Sequence, residues 1–299
     1  MRPHVELVDQ EDLIWHMAEL SHATGEARQQ NLSYDEEDGS ASLRVQFTSD
    51  WSRPAGLHAA LTEWFILEGE LQLGDKTLIA NDYWCAPKGV LTPALKVKAG
   101  TTILLFREYG DWTFNPANAN GPEARNFDEL TVCSAGSQDW FDVTDPDHGS
   151  PMDFERGGTP VPGLFIKMLY HDVESGFYTR LIKAKPGWRE HPLAHHPCFE
   201  EAYCLDGTFD YNFGEMVKGQ YFFRPKGIRH GDFTAGEDGT VWILRCDGQL
   251  VDWYTDNARV EMQGDPVNWG EGYPDTEPPE FVLPVRSASV GPMKRSDYM

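Results

Sequence analysis

Residues 57–110 and 195–248 are the same segment written twice, in gapless register. Gly207 against Gly69 and Gly227 against Gly89 are both 138 positions apart (207 − 69, 227 − 89). The same offset joins His58/His196, Glu63/Glu201, Leu67/Leu205, Tyr83/Tyr221, Pro87/Pro225, Lys88/Lys226, Thr102/Thr240, Arg107/Arg245 and Gly110/Gly248. Upstream the offset becomes 137, in Leu32/Leu169, Asp35/Asp172, Glu37/Glu174, Gly39/Gly176 and Trp51/Trp188, so one copy gains a residue between about positions 52 and 57. A repeat of this length predicts two like domains, and 299 residues suffice for each to bury its own core. The expected division is an N-terminal unit with its arm over 1–110, a connection over 111–162, a second unit over 163–250 and an extended tail over 251–299.

Both copies consist of short β-rich runs punctuated by Gly, Pro, Asp and Asn, as in Glu63-Trp64-Phe65-Ile66-Leu67-Glu68-Gly69, so the fold class expected is all-β. The connection reads as loops with a short strand around Leu130-Thr131-Val132. Leu13, Trp15, Met17 and Leu20 make a modest case for one helix over Asp12–Leu20. The chain carries 48 acidic against 25 basic residues, a net charge of −23, which repels nucleic acid and anionic membranes. No apolar run approaches a membrane span, and the first residues lack an apolar signal core, so a cytoplasmic location is expected. Five cysteines without CxxC spacing read as reduced, mostly buried thiols.

The copies differ where chemistry is expected. The second contains His195-His196-Pro-Cys198-Phe-Glu200-Glu201 followed by Gly207, then Gly219, Pro225-Lys226-Gly227 and His230. These lines resemble the two motifs of the cupin superfamily: a His four or five residues before a Glu that stands seven before a Gly, then Gly, five residues, Pro-x-Gly, two residues and His. The departure is Leu193, where the family usually has the first His of a His-x-His. The resemblance implies two tandem jelly-roll barrels, the second holding a divalent transition metal (Fe, Mn, Zn or Ni) through His195, Glu200 and His230. His196 is the rival to His195. Successive strand residues face opposite ways, so only one of the pair enters the barrel unless the strand bulges; the spacing from Gly187 favours His195. Imidazole and carboxylate donors suit this class of ions, and two His plus one carboxylate form an open facial site.

In the first copy His195, Glu200 and His230 correspond to Leu57, Thr62 and Thr92, so that barrel is expected to be metal-free. His58/His196 and Glu63/Glu201 occur in both copies, which suggests a structural role for them. His191, roughly 13 Å from His195 along an extended strand, reads as an exposed edge residue. Cys198 reads as an inert thiol, and Tyr211, Phe213, Phe223 and Trp242 as core. Arg245 and Arg107 suggest a shared structural salt bridge, and Lys226, Arg224 and Arg229 a weak basic patch at the barrel mouth.

The resemblance implies an enzyme acting on a small oxygen-bearing organic molecule, first a dioxygenase that cleaves C–C bonds. The alternatives are a redox-neutral isomerase, lyase or hydrolase with the metal as Lewis acid, or a non-catalytic sensor like the cupin domain of ChrR-type anti-sigma factors. The partners expected are a small-molecule substrate and possibly a second copy of the chain.

Overall fold

The computed structural model describes residues 2–117, 130–144, 162–190, 193–248 and 253–254. The described residues are almost entirely antiparallel β-structure, with one 3-10 turn at Ala135–Ser137. No helix among them is long and apolar enough to cross a membrane. The chain divides into two compact units, residues 1–2 with 12–138, and residues 3–11 with 139–299.

Each unit repeats the same sheet. In the first, the strands Asp82–Ala86, Leu61–Glu68, Thr102–Glu108, Ala41–Phe47 and Ala27–Tyr34 are neighbours in that order. In the second, their counterparts Gln220–Arg224, Glu200–Tyr211, Phe233–Cys246, Tyr178–Ala184 and Leu164–His171 follow the same order. Fine register repeats too. Tyr83 faces Phe65 and Ala86 faces Thr62, as Tyr221 faces Tyr203 and Arg224 faces Glu200. The Gly89 amide donates to the His58 carbonyl and the Gly227 amide to the His196 carbonyl, both at 2.9 Å. These are two tandem jelly-roll barrels. Their alternating strands turn one apolar face inward, around Trp51, Trp64 and Trp84 in the first unit and around Tyr178, Phe209, Tyr211 and Phe222 in the second.

The exposed edge beside each equivalent strand is covered differently, and this departs from the expected boundaries. Beside Asp82–Ala86 lies Thr131–Ser134, from the connection. Beside Gln220–Arg224 lies Val5–Asp9, so the N-terminal arm belongs to the second unit rather than the first. An uncovered edge strand invites pairing with other chains, and both edges are closed by strands from outside the repeat. The expected strand near Leu130-Thr131-Val132 is present; the expected helix over Asp12–Leu20 is not. His16–Met17 instead pairs as a short edge strand with Arg28 and Gln29. The Arg28 and Arg44 guanidiniums lie 4.3 and 5.1 Å from the Trp15 ring. Leu13, Trp15 and Met17 alternate with a period of two, and tertiary pairing decided in favour of the strand.

The repeated glycines have a backbone reason. Gly207 has φ +72°, and a Cβ there would stand 2.0 Å from the Gly239 carbonyl oxygen; Gly69 has φ +87°, with Thr101 Oγ1 at 2.5 Å. Gly207→Ala is expected to lower stability by roughly 1–3 kcal/mol, read as a lower urea midpoint at unchanged m-value. A loss below about 0.5 kcal/mol would show that the turn is free to rearrange.

Candidate metal centre

Among the described residues, His196, Glu200 and His230 of the second unit are the group whose ligand atoms converge, all within 4.8 Å of one another. His196 Nε2 lies 3.1 Å from His230 Nε2, and His230 Nε2 lies 2.9 Å from Glu200 Oε2. Strand parity explains which histidine enters. Ala194 and His230 exchange both backbone hydrogen bonds, at 2.8 and 2.9 Å, and so stand directly opposite with side chains on one face. Two residues on, His196 shares that face, whereas His195 points away.

The preference for His195 drawn from the Gly187 spacing is therefore corrected: the residue brought to Glu200 and His230 is His196. His195 is buried nearby on the strand that pairs with Trp253–Tyr254. Burial and the neighbouring His196, Arg229 and His230 push its pKa down to about 3. His191 lies outside the described residues, as does the tail from 255 onward.

The trio is held by buried charge. Glu200 faces Arg224 across the sheet, and the Arg224 guanidinium, 1 % exposed, donates to Glu200 Oε2 at 2.9 Å. The other side of that guanidinium grips Glu6 of the N-terminal arm, at 2.7 Å to Oε1 and 3.2 Å to Oε2. Tyr211 donates its hydroxyl to Glu6 at 2.7 Å, and His4 lies 2.8 Å from the other oxygen. Burial works to raise the Glu200 pKa, but His230 and Arg224 overcome it and hold the carboxyl well below its usual range. Burial opposes ionisation of Glu6 as well, and Arg224 again wins. Burial would lower the Arg224 pKa, yet Glu6 and Glu200 raise it. Arg224 and Arg229 are thus interior groups, at 1 % and 3 % exposure, and not a patch at the mouth. Glu6 lies outside the repeat, and nothing in the sequence pointed to it.

The donor set fits a metal ion. His230 Nδ1 lies 3.0 Å from the Ile228 carbonyl oxygen, which accepts only from an N–H, so Nδ1 carries a proton and Nε2 is the nitrogen turned to the cluster. Burial, followed by the charge of Arg224, lowers the His230 pKa, so the ring readily gives up its Nε2 proton to an incoming cation. Nε2 set 2.9 Å from a carboxylate oxygen calls for a shared cation, either a proton or a metal ion in its place. Two donors each about 2.0–2.1 Å from one ion and at right angles to each other stand about 3 Å apart, matching the two short separations.

Glu201 and Arg245 do the structural work anticipated for them, whereas His196, expected to be structural as a residue shared by both copies, joins the cluster instead. Glu201 faces Arg245 across the sheet and accepts from it and from the Tyr221 hydroxyl. The bridge is not shared by the first unit. There Arg107 stands opposite Thr62, one residue out of register with Arg245, and it donates to the Asp111 carbonyl while lying 4.2 Å from the Trp112 ring. Cys198 is buried, and its neighbour Cys246 together with burial pushes its thiol pKa well up, the state of an inert thiol. All five cysteines are buried. Tyr211 and Phe223 are buried; Phe213 and Trp242 are half-buried and pack against the second core.

Fold and site together define a cupin-fold protein with a buried His-Glu-His cluster in its second barrel. The chain belongs to the family described as a domain of unknown function, DUF4437, whose profile matches residues 6–253. No curated protein matches it. Among solved structures it resembles a Nostoc punctiforme protein named as a candidate dioxygenase, with a TM-score of 0.69, 21 % identity and 83 % of each chain covered. It also resembles Streptomyces albus HEPD, solved with 2-hydroxyethylphosphonate and Fe(II), with a TM-score of 0.54 and 9 % identity over 89 % of this chain and 79 % of that one. At these identities the likeness is one of fold.

Proposed function

We propose that the second barrel is a metal-dependent enzyme site that takes a small oxygen-bearing organic molecule, with oxidative C–C cleavage by O₂ as the reaction. The observation that carries this is the convergence of three ligand atoms, His230 Nε2 and Glu200 Oε2 at 2.9 Å with His196 Nε2 3.1 Å from the same nitrogen. A divalent ion held by His196, Glu200 and His230 supplies Lewis acidity and, as iron, a route for electrons to O₂. Three protein ligands leave coordination positions open, which distinguishes a reactive site from a structural one.

The surrounding residues define what the site can accept. The His230 ring meets Phe233 edge-on at 5.9 Å, and Phe233 stacks on Tyr211 at 5.7 Å. This aromatic wall favours a planar, largely apolar substrate body. Arg224, locked between Glu6 and Glu200, keeps Glu200 ionised and oriented. The Fe(II)-bound neighbour and the neighbour named as a candidate dioxygenase support the choice of an oxidative reaction.

The test is metal analysis of chain purified without added ions, followed by O₂ uptake after reconstitution with Fe(II) on a panel of β-diketones and hydroxylated aromatic ketones. One iron per chain with substrate-dependent uptake is the expected result. Turnover of a substrate with zinc or manganese under anaerobic conditions would replace the oxidative reaction by Lewis-acid isomerase, lyase or hydrolase chemistry. Metal without any turnover would leave a sensor, and failure to bind any divalent ion would overturn the site.

A further inference from the structure

The first barrel keeps the histidine of the site and loses the acid. His58, the counterpart of His196, is 3 % exposed, and its Nε2 accepts from Arg53 Nη2 at 3.0 Å. Guanidinium groups only donate, so this imidazole nitrogen is the acceptor and the ring is neutral. Where the second barrel's histidine faces the cluster that calls for a cation, His58 faces a cation built into the chain. Arg53 is 5 % exposed, lies 4.1 Å over the Phe114 ring and 5.5 Å from the Trp51 ring, and carries an Nε with no hydrogen-bond partner. Among the described residues no carboxylate pairs with it. The charge that acts on it is that of Arg107, which is also positive, and burial and Arg107 together lower the Arg53 pKa to about 9.

The positions that carry Glu200 and His230 in the second barrel carry Thr62 and Thr92 here. Thr92 stands opposite Gly56, so by strand parity it shares a face with His58, as His230 does with His196. Thr62 donates to the Ala60 carbonyl at 3.2 Å, but the Thr92 hydroxyl, 1 % exposed, has no hydrogen-bond partner. A buried guanidinium with free donor capacity, a second guanidinium acting on it and an uncommitted hydroxyl on the same face are what an anion site is made of. Burial of an arginine is strongly unfavourable until an anion compensates it.

We propose that the first barrel binds a small organic carboxylate, its oxygens accepting from the Arg53 guanidinium and the Thr92 hydroxyl. Thr62 and Thr92 stand where the second barrel carries the longer Glu200 and His230, so acetate and oxalate, among the smallest members of the class, are the probes. This site needs no metal and stands independently of the reading of the second barrel.

The test uses the full-length chain carrying His230→Ala, treated with a chelator so that carboxylates have no metal to bind. Acetate and oxalate are titrated at low ionic strength, with acetamide as the neutral analogue of acetate. Binding is read by calorimetry and by the fluorescence of Trp51 and Trp84, beside Arg53 and His58 respectively. Saturable binding of one carboxylate per chain, absent for acetamide, is expected, with a raised Tm at saturation. Arg53→Gln is expected to weaken it by a factor of about ten or more. Thr92→Val, which keeps the charge and the shape, is expected to weaken it severalfold and serves if Arg53→Gln does not fold. Absence of saturable binding up to about 10 mM, or an affinity unchanged in both variants, would overturn the proposal.

Discussion

Replacing His230 with alanine is expected to leave a folded chain that retains less than a tenth of the divalent metal bound by the parent after gel filtration. The imidazole is central to the cluster: its Nε2 is 2.9 Å from Glu200 and 3.1 Å from His196, and its other nitrogen is fixed by the Ile228 carbonyl. Loss of one of three ligands removes a nitrogen donor that no neighbour replaces, a large fraction of the binding free energy at such sites. Three companion variants make the result specific. His196→Ala is expected to empty the site, whereas His195→Ala is expected to leave metal occupancy near the parent value, because strand parity turns His195 away. Glu201→Gln is expected to lower Tm through its lost pairing with Arg245 and Tyr221 while keeping the metal. Loss of metal from His195→Ala with retention in His196→Ala would reverse the assignment.

The second large effect is on stability. Arg224→Met in the metal-free protein is expected to lower unfolding free energy by about 3–5 kcal/mol at neutral pH, because it strands two buried carboxylates, Glu6 and Glu200. The sign with pH distinguishes this from a simple packing loss. In the parent both carboxyls sit below the usual value of 4.5, so their contribution is present above that pH and disappears as pH falls through the lower folded-state values. Without Arg224 burial is opposed only by His4 at Glu6 and by His230 and His196 at Glu200, so both pKa values rise, and the deficit of the variant should narrow as pH drops from 7 to 5. Denaturant titrations at the two pH values check this; a deficit independent of pH would mean that packing alone was lost. Glu6→Gln should give a milder version, since Glu200 keeps its arginine.

Much of the architecture was legible because repetition is visible without structure. The 138-residue offset, the shared Gly69/Gly207 and Pro-Lys-Gly turns, and the β-rich runs are all carried by local chemistry: a positive φ needs glycine, and a pleated half-buried surface favours branched and aromatic residues. Glu200 and His230 were legible for the same reason, being the residues that the first copy replaces by Thr62 and Thr92. The expected helix over Asp12–Leu20 went the other way because its fate depended on an edge strand and two arginines elsewhere in the chain.

What the amino-acid order determined by itself is the duplication, the all-β class and the concentration of metal-type donors in the second copy, since each follows from residue identity and near-neighbour spacing. Three things only the tertiary structure decided. His196 rather than His195 meets Glu200 because the register with His230 sets strand parity, and parity between distant strands is not written locally. Glu6 reaches Arg224 because the N-terminal arm closes an edge more than two hundred residues away in sequence. And Arg53 lies buried against His58, an arrangement for which residue type alone predicts the opposite, because a charged side chain is expected in water unless the fold holds something for it to bind.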